Sequence, residues 1–294
     1  MELNYNSAAR LREFLEQNGL GMRKKFGQNF LINPGVRKTL VDALEAGEGE
    51  SVWEIGPGLG AMTRLLLDTG LNVRAFEIDP GFSGVLREIF ANDTGFSLVE
   101  GDVLKTWPSQ QAVLNSPAPY LLGNLPYNIA SILLADLIEK KCFFKRMVVT
   151  VQNEVALRMT AAVGSKNYSS FTVLCASAYK VKPLTVIKGS SFYPRPNVDS
   201  GGVLLELKED RALQNLPSCF FPLLRGLFSS RRKQIKNTLE EFLSRRGGPV
   251  CTAAQVLEKS MIDGRLRPEN LSFEDFAVLA KTAEDMGLYK KNVN

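Results

Sequence analysis

Val52-Trp53-Glu54-Ile55-Gly56-Pro57-Gly58-Leu59-Gly60 decides the fold of this chain. Its first four residues are a short apolar run holding one carboxylate, and beyond it Met62, Leu65, Leu66 and Leu67 recur at helical spacing. The order is strand, glycine turn, helix. Glycines in such a turn let the backbone bend tightly and approach a nucleotide with no Cβ in the way. A dinucleotide site would show G-x-G-x-x-G, with pyrophosphate on the helix N-terminus. Here the run is E-x-G-x-G-x-G with the acid inside the strand, so a nucleoside ligand without phosphate is expected. Gly56 and Gly58 are the loop residues expected to touch it, while Glu54 is expected mainly to brace the loop.

About seventeen residues beyond Gly60, Val73-Arg74-Ala75-Phe76-Glu77 closes a second apolar run on a carboxylate. Glu77 stands where doubly wound folds place their ribose ligand. A third run, Phe96-Ser97-Leu98-Val99-Glu100, leads into Gly101-Asp102. Asp102 is placed to accept from an adenine amino group; its competing role is to cap the following turn. These acids share one edge with the glycine loop, which is where open α/β sheets bind ligands.

The fourth run, Pro119 to Leu122, precedes Asn124-Leu125-Pro126-Tyr127. As a bare turn this sequence would be ordinary. Beside a cofactor loop it reads as an amine site. The Asn124 amide oxygen and a backbone carbonyl held outward by the stiff Leu125-Pro126 step accept both protons of an exocyclic amine, and Tyr127 stacks on the ring. Such bonds draw the amine lone pair out of conjugation and aim it at an electrophile, which is catalysis by positioning and electrostatics. No base is needed, so the complete absence of histidine is no obstacle.

Together with Phe26-Gly27-Gln28-Asn29-Phe30-Leu31, Asn124-Leu125-Pro126-Tyr127-Asn128-Ile129, Phe192-Tyr193-Pro194-Arg195-Pro196-Asn197-Val198-Asp199-Ser200 and Leu227-Phe228-Ser229-Ser230-Arg231-Arg232-Lys233, these features make the chain resemble a class I S-adenosylmethionine-dependent methyltransferase. More closely, it resembles the ribosomal RNA adenine dimethyltransferases, nearest their small-subunit branch. The agreement runs in order from residue 26 to residue 233. Ile132 and Ser230 depart from the family, standing where proline and glutamine are frequent.

The resemblance implies S-adenosylmethionine as cofactor and an α/β class I fold with a Rossmann-like seven-stranded sheet and a smaller C-terminal helical domain. It also implies dimethylation of N6 on two adjacent adenosines near the 3′ end of the small-subunit ribosomal RNA, with a role in subunit biogenesis. It makes Asn29 and Leu31 cofactor contacts, and Asn124 both a cofactor and a catalytic residue. Phe192 would stack on an extruded base, with packing at the domain junction as the competing reading. Adenine N6 would attack the sulfonium methyl in line. Three alternatives stay open: a large-subunit methyltransferase of the antibiotic-resistance type, a DNA adenine methyltransferase, whose amine motif more often has two prolines, and an assembly or transcription factor whose role is binding.

Composition fits this frame. The 294 residues suffice for one large domain and a smaller one. Lys+Arg 36 against Asp+Glu 31 gives a net charge of +5, which suits a polyanionic partner. Four separated cysteines and no C-x-x-C pair argue against zinc or redox work, and no metal is expected. The polar start predicts no leader or membrane span, hence a cytoplasmic protein and, by expectation, a monomer. A short helix over residues 7 to 18 is placed to cover the crevice. Strands alternate with helices through residue 155, and the apolar runs Phe171 to Ala178 and Gly202 to Leu207 predict a hairpin at one sheet edge. Residues 1–208 form the expected catalytic domain and 209–294 a helical, RNA-binding one. Helices are predicted at Pro222 to Phe228, Lys233 to Ser244, Ala253 to Ser260 and Phe273 to Met286. Arg231, Arg232, Lys233 and Lys236 are its expected phosphate contacts, against the usual reading of a solvated helix face. Arg23, Lys24 and Lys25 form a second small basic cluster.

Overall fold

The computed structural model describes residues 3–22, 28–111, 119–126, 129–209, 215–245 and 253–289. Helix α1 (Ala8–Gln17) starts at Ser7, whose hydroxyl accepts from Arg10 N–H. Strand β1 (Phe30–Leu31) and helix α2 (Pro34–Asp42) follow, the latter capped by Asn33. The main sheet is then laid down as β2 (Ser51–Ile55), α3 (Ala61–Asp68), β3 (Asn72–Glu77), α4 (Pro80–Ile89), β4 (Phe96–Glu100), α5 (Val103–Gln111), β5 (Tyr120–Asn124), α6 (Ala130–Glu139) and β6 (Arg146–Gln152). Next come α7 (Asn153–Met159), α8 (Ser170–Ala178), β7 (Tyr179–Ile187), β8 (Phe192–Tyr193) and β9 (Ser200–Leu207). The chain continues through α9 (Phe220–Phe228), α10 (Ile235–Ser244), α11 (Ala253–Ser260) and α12 (Phe273–Asp285).

Seven strands form one sheet in the order β4-β3-β2-β5-β6-β9-β7. β4 to β6 are mutually parallel, and β9 pairs antiparallel with β6, Thr150 opposite Gly202. Strands β2, β5 and β6 are buried almost throughout, which explains why they read as continuous apolar runs. The chain moves outward from β2 on one side and restarts at β5 on the other. Between those two strand ends lies the switch point where such sheets hold ligands. A separate two-stranded sheet pairs Phe30 with Tyr193 and Leu31 with Phe192, which joins two stretches far apart in sequence.

The predicted edge hairpin needs correction. Residues Phe171 to Ala178 are helix α8, begun by a capping box in which Ser169 and Thr172 each bond the other's backbone N–H. The outer strand is the more polar Tyr179–Ile187, which lies beside β9. Helix α1 packs on Leu59 and Phe82 through Leu11, Phe14 and Leu15, so it braces the glycine loop, and no residue of α1 lines the cavity described below.

The chain divides into two compact units, one of Met1–Leu157 with Val181–Leu207 and the other of Arg158–Lys180 with Lys208–Asn294. The helical unit therefore takes in α8 as well as the residues after 208. Its core is built from Phe220, Leu223, Leu227, Leu239 and Phe276, with Phe228 stacked on Phe276 at 5.7 Å. Cys142, Cys175 and Cys219 are buried thiols, and Cys219 donates to the Ala280 carbonyl at 3.2 Å; Cys251 lies outside the described residues.

Candidate active site

A cavity of about 290 Å3 opens at the carboxyl ends of β2, β3, β4 and β5, within the first unit. Its walls include Asn29, Leu31, Gly56, Gly58, Glu77, Asp102, Asn124, Leu125, Pro126 and Phe192. Those ten residues, drawn from six separate stretches, are the described cofactor and catalytic members of the expected site. Tyr127 lies outside the described residues.

The glycine loop sits where its backbone demands glycine. Gly58 has φ +60°, and an added Cβ would lie 3.0 Å from the Phe30 ring. Gly56 has φ +72°, and a Cβ added there would lie 3.4 Å from the Asn124 carbonyl oxygen at the end of β5. Beneath the loop, fully buried Glu54 accepts from the Thr63 hydroxyl at 2.6 Å in the first turn of α3. It does not line the cavity. Burial, followed by the neighbouring Glu77 charge, drives the Glu54 carboxyl up to about 7 against the opposing Thr63 bonds.

Glu77 is 5% exposed. Its two oxygens accept from Gly58 N–H at 3.1 Å and Asp79 N–H at 2.8 Å. Burial is the largest influence and pushes its carboxyl up to about 7, while those backbone donors oppose the rise. Pinned in this way, it retains lone pairs for a cis-diol. Asp102 fills the capping role: one oxygen accepts from Leu104 N–H at 3.0 Å at the start of α5, while Oδ2 has no partner among the described residues and the side chain lines the cavity. Ile78 and Val103 follow the two acids in the chain and supply apolar cavity wall beside them. A nucleoside fits this set: carboxylates for its hydroxyls and amine, apolar walls for its ring, and a glycine cradle with no room for side chains.

At the opposite edge Asn124 is held on both sides. Its Nδ2 donates to the Asn29 carbonyl at 2.8 Å, and its Oδ1 accepts from the Thr150 hydroxyl at 2.6 Å. Thr150 is 2% exposed and pairs in register with Asn124 across β5 and β6. Its carbonyl also takes the Leu125 N–H at 3.1 Å. The amide orientation is thus fixed before any substrate arrives, with one Oδ1 lone pair left over. The Pro126 carbonyl accepts from Ile129 and Ala130 N–H, which leaves the Leu125 carbonyl as the candidate backbone acceptor of the Leu125-Pro126 step. Phe192 is 4% exposed and belongs to the main core while presenting a wall to the cavity.

Sequence reading missed Thr150, Ile78, Val103 and Arg37. Ile78 and Val103 carried a signal, since each adjoins an acid singled out for the ligand. Thr150 and Arg37 carried none, because their roles depend on contacts across the fold.

Residues 19–283 match the family described as Ribosomal RNA adenine dimethylase. The chain is 45% identical over 280 residues to Ribosomal RNA small subunit methyltransferase A of Treponema denticola, covering 94% of each. It is 41% identical over 284 residues to the protein of that name from Borreliella afzelii, covering 96% of each. Among solved structures it resembles a dimethyladenosine transferase from Plasmodium falciparum, with TM-score 0.74, 28% identity and coverage of 87% of this chain and 97% of that one. The 23S rRNA methyltransferase ErmE shares the fold, with TM-score 0.62 at 22% identity, over 86% of this chain and 99% of that one.

Proposed function

This chain belongs to the ribosomal RNA adenine dimethylase family, and we propose that it dimethylates N6 of two adjacent adenosines near the 3′ end of the small-subunit rRNA during subunit biogenesis. Its cofactor is S-adenosylmethionine and its fold is the class I methyltransferase fold. When bound, the cofactor supplies an electrophilic methyl on sulfur. Glu77 would hold its ribose, Asp102 its adenine amine and the glycine loop its backbone-facing side, with Asn29 and Leu31 closing the near wall.

The observation that carries the catalytic reading is the Asn124 amide, fixed between Asn29 and Thr150 at the end of β5. Its remaining lone pair and the Leu125 carbonyl would accept both N6 protons of a target adenine taken out of its stack. These residues orient the nitrogen lone pair; they do not deprotonate it. The alkylated nitrogen is acidic enough to lose its proton to water. Phe192 and Tyr127 would flank the base. Phosphate contacts would come from Arg232, Lys233 and Lys236, which are exposed. We further propose a cytoplasmic monomer. Among the described residues, no helix is long and apolar enough to cross a membrane.

The test is incubation with S-adenosylmethionine and separate unmethylated small and large ribosomal subunits, followed by mass spectrometry of the digested RNA. Dimethyladenosine confined to the small subunit is expected. Product confined to the large subunit would overturn the choice of substrate, and cofactor binding without product in either would return the chain to a binding role.

A further inference from the structure

The cavity wall holds a buried cation with no ion-pair partner among the described residues. Arg37, in the second turn of α2, is 5% exposed and lines the cavity. Its Nη1 donates to the Leu31 carbonyl at 2.6 Å and the Tyr5 carbonyl at 3.1 Å, and its Nη2 to the Asn6 side-chain oxygen. All three acceptors are neutral. Its Nε is buried with no partner among the described residues. Tyr5 does not supply the missing charge, because burial pushes its phenol up to about 12 and keeps it neutral. A guanidinium taken out of water costs several kcal/mol unless an opposite charge and full hydrogen bonding compensate. Among the described residues, no carboxylate forms an ion pair with it.

The ligand can provide one. If Glu77 and Asp102 hold the nucleoside, and the sulfonium faces Asn124, the amino-acid end of the cofactor must lie along the remaining wall, where Asn29, Leu31 and Arg37 stand. We infer that Arg37 binds the α-carboxylate of the cofactor's methionine portion. In this role the N-terminal residues Tyr5 and Asn6 hold the guanidinium from behind and fix its direction. The carboxylate is unchanged by methyl transfer and is present in the product S-adenosylhomocysteine, so the contact contributes equally to ground and transition states. It lowers the KM for cofactor and leaves kcat alone.

The inference rests on S-adenosylmethionine as cofactor, and calorimetry separates the two. The wild-type chain, Arg37→Gln and Arg37→Met would each be titrated with S-adenosylhomocysteine and with its decarboxylated analogue, with each variant's melting curve recorded. Wild type should prefer the carboxylate-bearing ligand by about thirtyfold, as expected for a charge-assisted bond of about 2 kcal/mol. Both variants should lose that preference while binding the decarboxylated analogue as wild type does. Equal losses for the two ligands would mean that Arg37 only anchors the N-terminal segment, and would overturn the assignment. Absence of any preference in wild type would overturn it without a variant, should both variants fail to fold. Wild type that binds neither ligand would instead overturn the cofactor reading itself.

Discussion

The crevice at the sheet edge and the basic stretch after α9 both stood out in the sequence as clusters of functional side chains, yet they are built differently. In the crevice, site residues from six stretches converge on one cavity, and their polar groups are fixed by protein partners: Asn124 by Asn29 and Thr150, Glu77 by Gly58 and Asp79. In the basic stretch, neighbours in sequence diverge in role. Arg231 is committed to the protein, donating to Glu269 and to the carbonyls of Lys166 and Ser165. Lys233 makes an exposed pair with Glu241, worth little in water. Arg232 and Lys236 are exposed and form no ion pair among the described residues. Motif spacing identifies a site because strand ends bring separated residues together; a charge run does not reveal which of its members the fold has already used.

The largest effect should come from the crevice. Asn124→Ala is expected to lower kcat by about 10² to 10³, the usual loss when one preorganised group at a reacting centre is removed. Affinity for S-adenosylhomocysteine, measured by calorimetry, should stay close to wild type, because Glu77, Asp102 and the glycine loop are untouched. Full turnover in this variant would remove the amine clamp and leave the crevice as a cofactor site only.

Burial within the same region predicts a pH dependence. The folded-state carboxyls of Glu54 and Glu77 titrate near 7, raised from 4.5 chiefly by desolvation. Between those values the folded chain keeps protons that the unfolded chain has released. Stability contributed by these groups is therefore complete below pH 4.5 and is lost as pH rises towards 7, at up to about 1.4 kcal/mol per pH unit for each group. Glu54→Gln should flatten this slope in melting curves recorded across that range. An unchanged slope would show that Glu54 does not contribute to it. Cofactor affinity should run the other way, rising as Glu77 becomes the carboxylate that accepts from ribose hydroxyls.

How much of this was legible follows from where each signal resides. The strands β2 to β6 and the acids at their ends were readable because a parallel sheet buries both faces and places strand-end residues along one edge. Helices α11 and α12 were readable from their apolar stripes, Val256 with Leu257 and Phe276 with Leu279. Phe171 to Ala178 was misread because a run buried on nearly every side has no periodicity to separate strand from helix. Its capping box was the available signal, with Thr172 in the place more often held by glutamate. The real edge strand was hidden by its polarity and by Pro183, both of which suit an edge. Arg37 and Thr150 could not be read at all: one is a charge among ordinary helical residues, the other a hydroxyl in an apolar strand, and each gains meaning only from a partner across the fold.

Arg231 sharpens the contrast from the helical side. Arg231→Ala should destabilise that unit by about 2 kcal/mol, since its carboxylate and two carbonyl partners lose a charged donor together. Hydrogen exchange should localise the loss to residues 164–166 and 268–270, where Gly164 N–H bonds the Glu269 carbonyl at 2.7 Å. Unaltered protection there would return Arg231 to the group of free cations.

Thr150→Val, a smaller change, tests whether fixing Asn124 matters separately from having it. Removing the hydroxyl leaves the strand pairing intact and frees the amide to turn. A loss of about tenfold in kcat is expected, equivalent to about 1.4 kcal/mol, with KM for cofactor and RNA unchanged. Thr150→Ser should restore the rate. Recovery absent in the serine variant would assign the defect to packing.

The smallest effects belong to the cations the protein has left free. Arg232→Ala and Lys236→Ala should leave the melting temperature unchanged and weaken RNA binding a few-fold each. Counterion release gives them a signature that stability changes lack: each phosphate contact removed should reduce the slope of log affinity against log salt by about 0.7 to 1. Arg231→Ala, tested at a temperature where it is folded, should leave that slope as it was, because its donors already face Glu269, Lys166 and Ser165. If all three substitutions flatten the slope alike, the cluster acts as a uniform basic patch and the division drawn among its members fails. If only Arg232 and Lys236 do so, the fold has sorted one run of charges into an internal tie and an RNA-facing surface.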